Sequence, residues 1–191
     1  MVPVPRQTRQ ELDDEIIDAA ATLFARHGFR ETSIQRIADA VGFSKTGLLH
    51  RYPSKEALQR AVLDRCVAEM RAISAAAADL PPGRSRDRAV IDALVDLTLR
   101  RPGFVALLLS IVSSLDAGDT DPHVEIIGDV LFAAFATVPD EDLDRTIRVV
   151  GALGALAVAA VACREQPAGD VRPLLAAVSY DALGHPRPTA N

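Results

Sequence analysis

The 191-residue sequence predicts an all-α protein, and three observations carry that reading. Apolar residues recur at i, i+3, i+4 and i+7, the period of one helical face. No stretch alternates apolar and polar residues as a half-buried strand would, and there are no repeats. The chain is 49% hydrophobic but only 4% aromatic, so its core must be built mainly from Ala, Leu, Val and Ile. The expected architecture is a three-helix N-terminal unit followed by a C-terminal helical bundle, about nine helices in total.

The elements follow in order. Residues 1–9 hold two prolines with Arg6 and Arg9 and read as a flexible arm. A first helix is predicted over 11–27, with Leu12, Ile16, Ala19, Ala20, Leu23 and Phe24 on one side. Its acidic start (Glu11, Asp13, Asp14, Glu15) suits the positive end of a helix dipole.

The segment 32–58 carries the most information. Ile34, Ile37, Ala38 and Val41 form one apolar stripe. Thr32 precedes it and Gln35 follows three residues later, a capping-box pattern. Gly42 then sits where a left-handed helix end is least costly for glycine. Ser44 is placed to cap a second helix, in which Leu48 faces back toward Phe43, while Lys45, Thr46, Leu49 and His50 occupy other faces. Pro53 stops that helix, and Ser54 caps the next. Two short helices joined by a tight turn, with a third starting at once, are the layout of a helix-turn-helix.

A longer helix is predicted over 54–78, with Leu58, Val62, Cys66 and Met70 as its stripe. The sequence LPPGRS at 80–85 is the clearest break in the chain. Beyond it, helices are predicted over 87–100, 103–115, 122–137, 139–163 and 170–183, with a loop at 117–121 and a frayed tail from 184. The organisation expected is an arm (1–9), a helix-turn-helix domain (10–55), a linking helix (56–80), a C-terminal domain (81–184) and a tail (185–191).

The motif order TSIxxIAxxVGFSK, then LxHxYPSKEAL, resembles the DNA-binding domain of the tetracycline-repressor (TetR) family. The preceding IIxAAxxLFAxxGF resembles that family's first helix, ending at Gly28 and Phe29. The resemblance covers about residues 10 to 63 without a gap. It implies a homodimeric, ligand-responsive regulator of transcription. By it, Thr32 or Ser33 and Lys55 would contact phosphates, with Tyr52 near the backbone. It also implies that residues 140–183 form the dimer surface, through Ile147, Gly151, Gly154, Ala155, Val158, Leu174 and Val178. The chain departs from the family at Leu49, where an aromatic is usual, and Gly47 is a poor helix former within the reading helix.

Residues 44–52 are the expected recognition helix. Lys45, Thr46 and His50 are the candidates for base edges, and Leu49 for a thymine methyl. Ser44 opens the helix, and Gln35 and Arg36, which flank the first helix of the motif, are placed to reach DNA. Arg6 or Arg9 is placed either to enter a minor groove or to remain in a solvated tail. Charge is distributed accordingly. Residues 1–60 hold nine basic and eight acidic side chains, net +1, whereas 61–191 hold twelve and eighteen, net −6. Between 43 and 60, Lys45, Arg51, Lys55 and Arg60 face only Glu56. A DNA reader needs a local basic face rather than a basic protein.

The C-terminal bundle is the expected place for an apolar or amphipathic effector. Phe104, Leu107, Leu108, Ile111, Ile127, Leu131, Phe132 and Phe135 are candidate lining residues, with His123 or Glu125 as a polar anchor. The sequence from Ile147 to Cys163 is apolar, but at 17 residues with Arg148 inside it, it reads as a buried helix rather than a membrane span. The other classes are poorly supplied. There is no nucleophile–base pair and no glycine-rich phosphate loop. The four histidines are scattered, and Cys66 and Cys163 match no metal spacing. No enzymatic activity, cofactor or metal is expected. With no secretory signal in residues 1–9, the expected location is cytoplasmic. An all-α carrier or enzyme, and a helix-turn-helix regulator without an effector, are the alternatives.

Overall fold

The computed structural model describes residues 8–112 and 122–185, apart from the side chains of residues 110–112. Among the described residues every regular element is an α-helix. They are α1 (Arg9–Glu31), α2 (Ile34–Ala40), α3 (Lys45–Arg51), α4 (Lys55–Ala77), α5 (Arg84–Arg100), α6 (Pro102–Val112), α7 (Pro122–Ala134), α8 (Leu143–Ala162) and α9 (Ala168–Ala182).

α1 begins earlier than its acidic run suggests. Thr8 Oγ1 accepts from the Glu11 amide at 3.2 Å, and Glu11 Oε2 accepts from the Thr8 amide at 2.7 Å. This capping box satisfies two otherwise orphaned donors and draws Arg9 into the first turn, so Arg9 is not part of a free arm. Arg6 lies outside the described residues. The regular helix breaks at Gly28, where φ is 75°, and the turn that follows packs the Phe29 ring on Phe24 at 5.5 Å between centroids.

α1, α2 and α3 enclose a small core of Ile16, Ile17, Phe24, Ile37, Ala38 and Leu48, closed by Leu58 of α4. The turn between α2 and α3 is set by Gly42 (φ 69°). The Phe43 amide donates to the Ala38 carbonyl at 2.8 Å, which closes α2 with a Schellman-type end. The α4 stripe of Leu58, Val62, Cys66 and Met70 is buried, as its spacing predicts. Burial pushes the Cys66 thiol up to about 12, so it is an inert core group. Cys163 is likewise a free thiol.

In the bundle, α4 packs on α7, α8 on α9, and α5 on α9. The end far from α3 is held by a polar hub absent from the sequence reading. Arg86 donates Nε to the Ala134 carbonyl at 2.6 Å and Nη2 to that of Ala133 at 2.9 Å, capping the end of α7. The neighbouring Asp87 is fully buried between Arg145 and His185, each at 2.6 Å. α8 starts at Leu143 rather than 139, because Asp142 caps it by accepting from the Arg145 amide at 2.9 Å.

α8 is long and apolar enough to cross a membrane, with a mean hydropathy of 1.6 over its best window. It lies along α9 and α6 within the bundle. Its outward face is nevertheless apolar: Leu143, Ile147, Val150 and Val158 are 54–72% exposed. Leu174 and Val178 of α9 extend the same kind of surface, at 69% and 47% exposure. In the single chain α8 is thus buried on one side and exposed on the other.

Candidate nucleic-acid interface

α3 stands out because, among the described residues, its outer face is left exposed. Ser44 opens it by accepting from the Gly47 amide at 3.0 Å, and Leu48 anchors it in the core. This leaves Lys45, Thr46 and His50 exposed together and Leu49 half-buried beside them. Gly47 has little room on its inner side. An added Cβ would meet Ser44 Oγ at 3.1 Å and Phe43 Cδ1 at 3.5 Å. At the far end, Arg51 pairs with Asp13 of α1 at 3.2 Å. Tyr52 caps the helix end and is half-buried. Burial, reinforced by the charge of Asp13, raises its phenol above the ordinary value, so it remains a neutral donor.

α2 departs from the predicted capping box by one residue. Ser33, not Thr32, is the cap, accepting from the Arg36 amide at 3.2 Å. Thr32 is only 1% exposed, and its hydroxyl donates to the carbonyls of Gly28 and Leu23 at 2.8 and 3.2 Å. It therefore closes α1 and has no surface to offer a phosphate. Gln35 does not reach back to a cap. It donates forward to Asp39 Oδ1 at 2.7 Å. Ser33, Gln35 and Arg36 are exposed on the same side of the unit as the α2 N-terminus.

Lys55 is also engaged differently from the expectation. Its ammonium donates to the carbonyls of Phe29 at 2.8 Å and Arg30 at 3.1 Å, and sits 4.4 Å from the Phe29 ring centroid. These are among the last carbonyls of α1, which have no helical donors because the helix ends at Glu31. Lys55 thus ties the end of α1 to the start of α4, where Ser54 accepts from the Ala57 amide at 3.1 Å.

The expected effector-lining residues are mostly packed. Phe104, Leu107, Ile127 and Phe135 belong to the buried core, and Leu108, Leu131 and Phe132 pack against it. His123 lies 3.2 Å from Asp64 of α4, and Glu125 is exposed. Ile111 lies outside the residues whose side chains are described. One cavity of about 400 Å³ lies at the Asp87 hub, lined by Phe135, Arg145, Arg148 and His185 among others. A groove of about 430 Å³ lies between α6 and the end of α8, lined by Leu109, Val158 and Val161. Of the expected lining residues, only Phe135 borders either one.

A capped three-helix unit that projects one short helix, mounted on a helical bundle, defines the class of helix-turn-helix regulators. The comparisons agree. Residues 16–62 match the family model for bacterial regulatory proteins, tetR family. The HTH-type transcriptional repressor KstR2 of Rhodococcus jostii is 39% identical over 85 residues, covering 42% of this chain and 38% of that protein. The HTH-type transcriptional regulator RutR of Escherichia coli is 50% identical over 48 residues, 25% of this chain and 23% of RutR. The match therefore spans well under half the length of these curated relatives. A TetR-like transcriptional regulator from Rhodococcus sp. RHA1 shares the fold, with a TM-score of 0.51 at 23% identity, over 95% of this chain and all of that one. Residues 16–62 thus match the tetR family by sequence, and the described chain shares the fold of TetR-like regulators.

Proposed function

We propose that the protein is a homodimeric transcriptional repressor that binds a near-palindromic duplex and releases it when a small effector enters the bundle. The observation that carries this reading is the exposed face of α3. Lys45, Thr46 and His50 stand clear of the chain on a helix fixed at both ends, by Ser44 and by Arg51. Lys45 suits guanine acceptors, Thr46 a polar edge or thymine methyl, and His50 a base edge or phosphate. Leu49 adds an apolar contact. Ser33, Gln35 and Tyr52 flank the groove, and the α2 N-terminus offers free amides to a phosphate. Lys55 acts in this reading chiefly by holding α1 against α4.

The exposed apolar face of α8 and α9 supports association with a second copy. Ile147, Val158, Leu174 and Val178 form it, and Gly151, Gly154 and Ala155 lie between them. Within one protomer, a Cβ at Gly151 or Gly154 meets nothing within 4 Å, so close helix approach from outside is open there. Two protomers joined in this way present two α3 helices to successive major grooves.

The effector is apolar or amphipathic, because the bundle interior is built from aliphatic and Phe side chains. Phe104, Ile127 and Phe135 are packed here, so entry requires α6 and α7 to part. An effector that favours the parted state shifts the population away from the DNA-competent one. The cytoplasm, where DNA is reached, is the expected location.

The test is enrichment of duplexes from a random-sequence pool by the full-length protein, followed by titration at rising salt. Recovery of a two-fold-related sequence is expected. Affinity should fall by roughly 10³ or more between 50 and 200 mM salt if about six phosphates are neutralised. Salt-insensitive binding, or no enriched sequence, overturns the reading.

A further inference from the structure

Among the described residues, the most extensive packing between two helices is that of α1 on α6. It joins the N-terminal unit to the bundle at a place the sequence does not advertise. The Gly103 amide, at the start of α6, donates to Asp18 Oδ1 at 3.1 Å. A Cβ there would lie 2.7 Å from Thr22 Oγ1 and closer still to the Asp18 carbonyl oxygen. Backbone meets backbone at this point, and no residue but glycine fits. Two residues earlier, Arg101 donates Nη1 to the Asp14 carbonyl at 3.1 Å and places Nη2 2.7 Å from Asp14 Oδ2. Arg65 of α4 comes to the other Asp14 oxygen at 2.8 Å. One residue back along α1, Asp13 holds Arg51 at the end of α3. Adjacent carboxylates on α1 thus grip the bundle on one side and the reading helix on the other.

We propose that Arg101 and Gly103 are positioning residues for DNA reading: seated on Asp14 and Asp18, they fix the tilt of α1 and, through Asp13 and Arg51, the orientation of α3 relative to the dimer helices. The DNA part of this inference rests on the function proposed above, whereas the orientation itself does not. The Arg101 side chain is only 11% exposed, and its planar fork spans a carbonyl and a carboxylate of the same residue, a geometry that fixes angle as well as distance. α1 is an unbroken helix from its capping box to Gly28, so a change at Asp14 or Asp18 moves the unit as a body. Two readers must meet two grooves at once, so a tilt costs bivalent engagement while leaving each contact surface intact.

The experiment measures the orientation without DNA and its effect with DNA. Spin labels are placed at Ala40→Cys and Ala133→Cys, both exposed, with Cys163→Ser and the buried Cys66 left in place. Gly103→Ala and Arg101→Met are expected to shift or broaden the distance distribution, and Arg101→Lys to restore part of it. Arg172→Gln is the control, since it removes a two-bond pair to Asp96 inside the bundle and should leave the distribution unchanged. On a duplex selected by the wild-type protein, Gly103→Ala should weaken binding by at least about tenfold, but by less than about threefold on a random duplex. If Gly103→Ala loses helical signal, the two Arg101 variants decide the matter. Unchanged distances, or equal losses on both duplexes, overturn the proposal. If the wild-type protein selects no duplex, the reading as a DNA-binding regulator falls, and the label distances still decide the positioning.

Discussion

The ammonium of Lys55 lies 2.8 Å from the carbonyl oxygen of Phe29 and over the ring of the same residue. One side chain therefore completes the broken end of α1 and locks it to the first turn of α4. Charge-assisted bonds of this kind contribute roughly 1.5–3 kcal/mol. Lys55→Met should lower Tm by about 4–8 °C in a chain of this size. DNA affinity should fall more on a selected duplex than on a random one, because the variant loosens the frame that aligns two readers and leaves each reading face intact. An equal loss on both duplexes would assign Lys55 to a phosphate contact instead. Calorimetry and anisotropy titration on the two duplexes measure both effects.

Thr46 and Gly47 are adjacent on α3 but make opposite predictions. Thr46 is exposed, so Thr46→Val should leave Tm within about 1 °C. It should change the base preferred at one position of each half-site, by about 1–3 kcal/mol of discrimination. Gly47→Ala gains up to about 1 kcal/mol of helix propensity. The new Cβ presses Ser44 Oγ at 3.1 Å, which strains the cap and cancels much of that gain. The expected outcome is a near-neutral Tm with altered DNA affinity, read from the same titrations.

Local rules made the N-terminal unit legible in the sequence. The α4 stripe, the Gly42 turn and the Ser44 and Ser54 caps each depend on residues within one or two turns, and each stands where its spacing puts it. Two local misreadings have a physical source. Thr32 and Ser33 are both good caps, and only the Gly28 break decides between them by leaving carbonyls for the Thr32 hydroxyl. The resemblance casts Lys55 as a phosphate contact, and its hold on the end of α1 emerges only once partners 25 and 26 residues away are placed. The bundle was harder, because its polar hub joins residues separated by 58 and 98 positions. No periodicity reports that Asp87 meets Arg145 and His185. A stripe of Phe and Leu likewise cannot distinguish a cavity wall from a filled core, and here Phe104 and Ile127 fill it.

Asp87 has no exposure and two cationic or donor partners at 2.6 Å. Removing it leaves the Arg145 guanidinium without its carboxylate near the Phe135 carbonyl. Breaking one side of a buried pair costs roughly 3–5 kcal/mol. Arg145 is 20% exposed, and its water contact places the expected loss near the lower end. Asp87→Ala should lower Tm by about 6–10 °C without altering the label distance between residues 40 and 133. A change of less than about 2 °C would show that water replaces the carboxylate freely.

Gly151 faces open space in the protomer, so a larger side chain there is sterically free until a second copy arrives. Gly151→Leu and Ile147→Lys should both leave the helical signal and the protomer fold unchanged. Both should shift sedimentation toward monomer, Gly151→Leu by holding the helices apart and Ile147→Lys by burying an unpaired charge. An unchanged dimer for both variants would move the interface off α8.

Asp18 gives the α1–α6 contact a defined pH dependence. Burial raises its carboxyl above the ordinary 3.8, and the Gly103 amide and Arg101 only partly offset this. Between 3.8 and the raised value, the folded protein holds a proton that the unfolded chain has released. Stability from this group is therefore full below 3.8 and is lost as pH rises through that window. Asp18→Asn keeps the Oδ1 acceptor for Gly103 and removes the ionisation. At pH 7 the variant should be the more stable, with the higher Tm. The two proteins should converge as pH falls to 3.8 and below, with all other carboxylates titrating alike in both. Urea unfolding of both proteins across pH 3 to 7 measures the difference. A gap that widens toward acid would mean that Asp18 is held as a charged partner of Arg101 rather than penalised by burial.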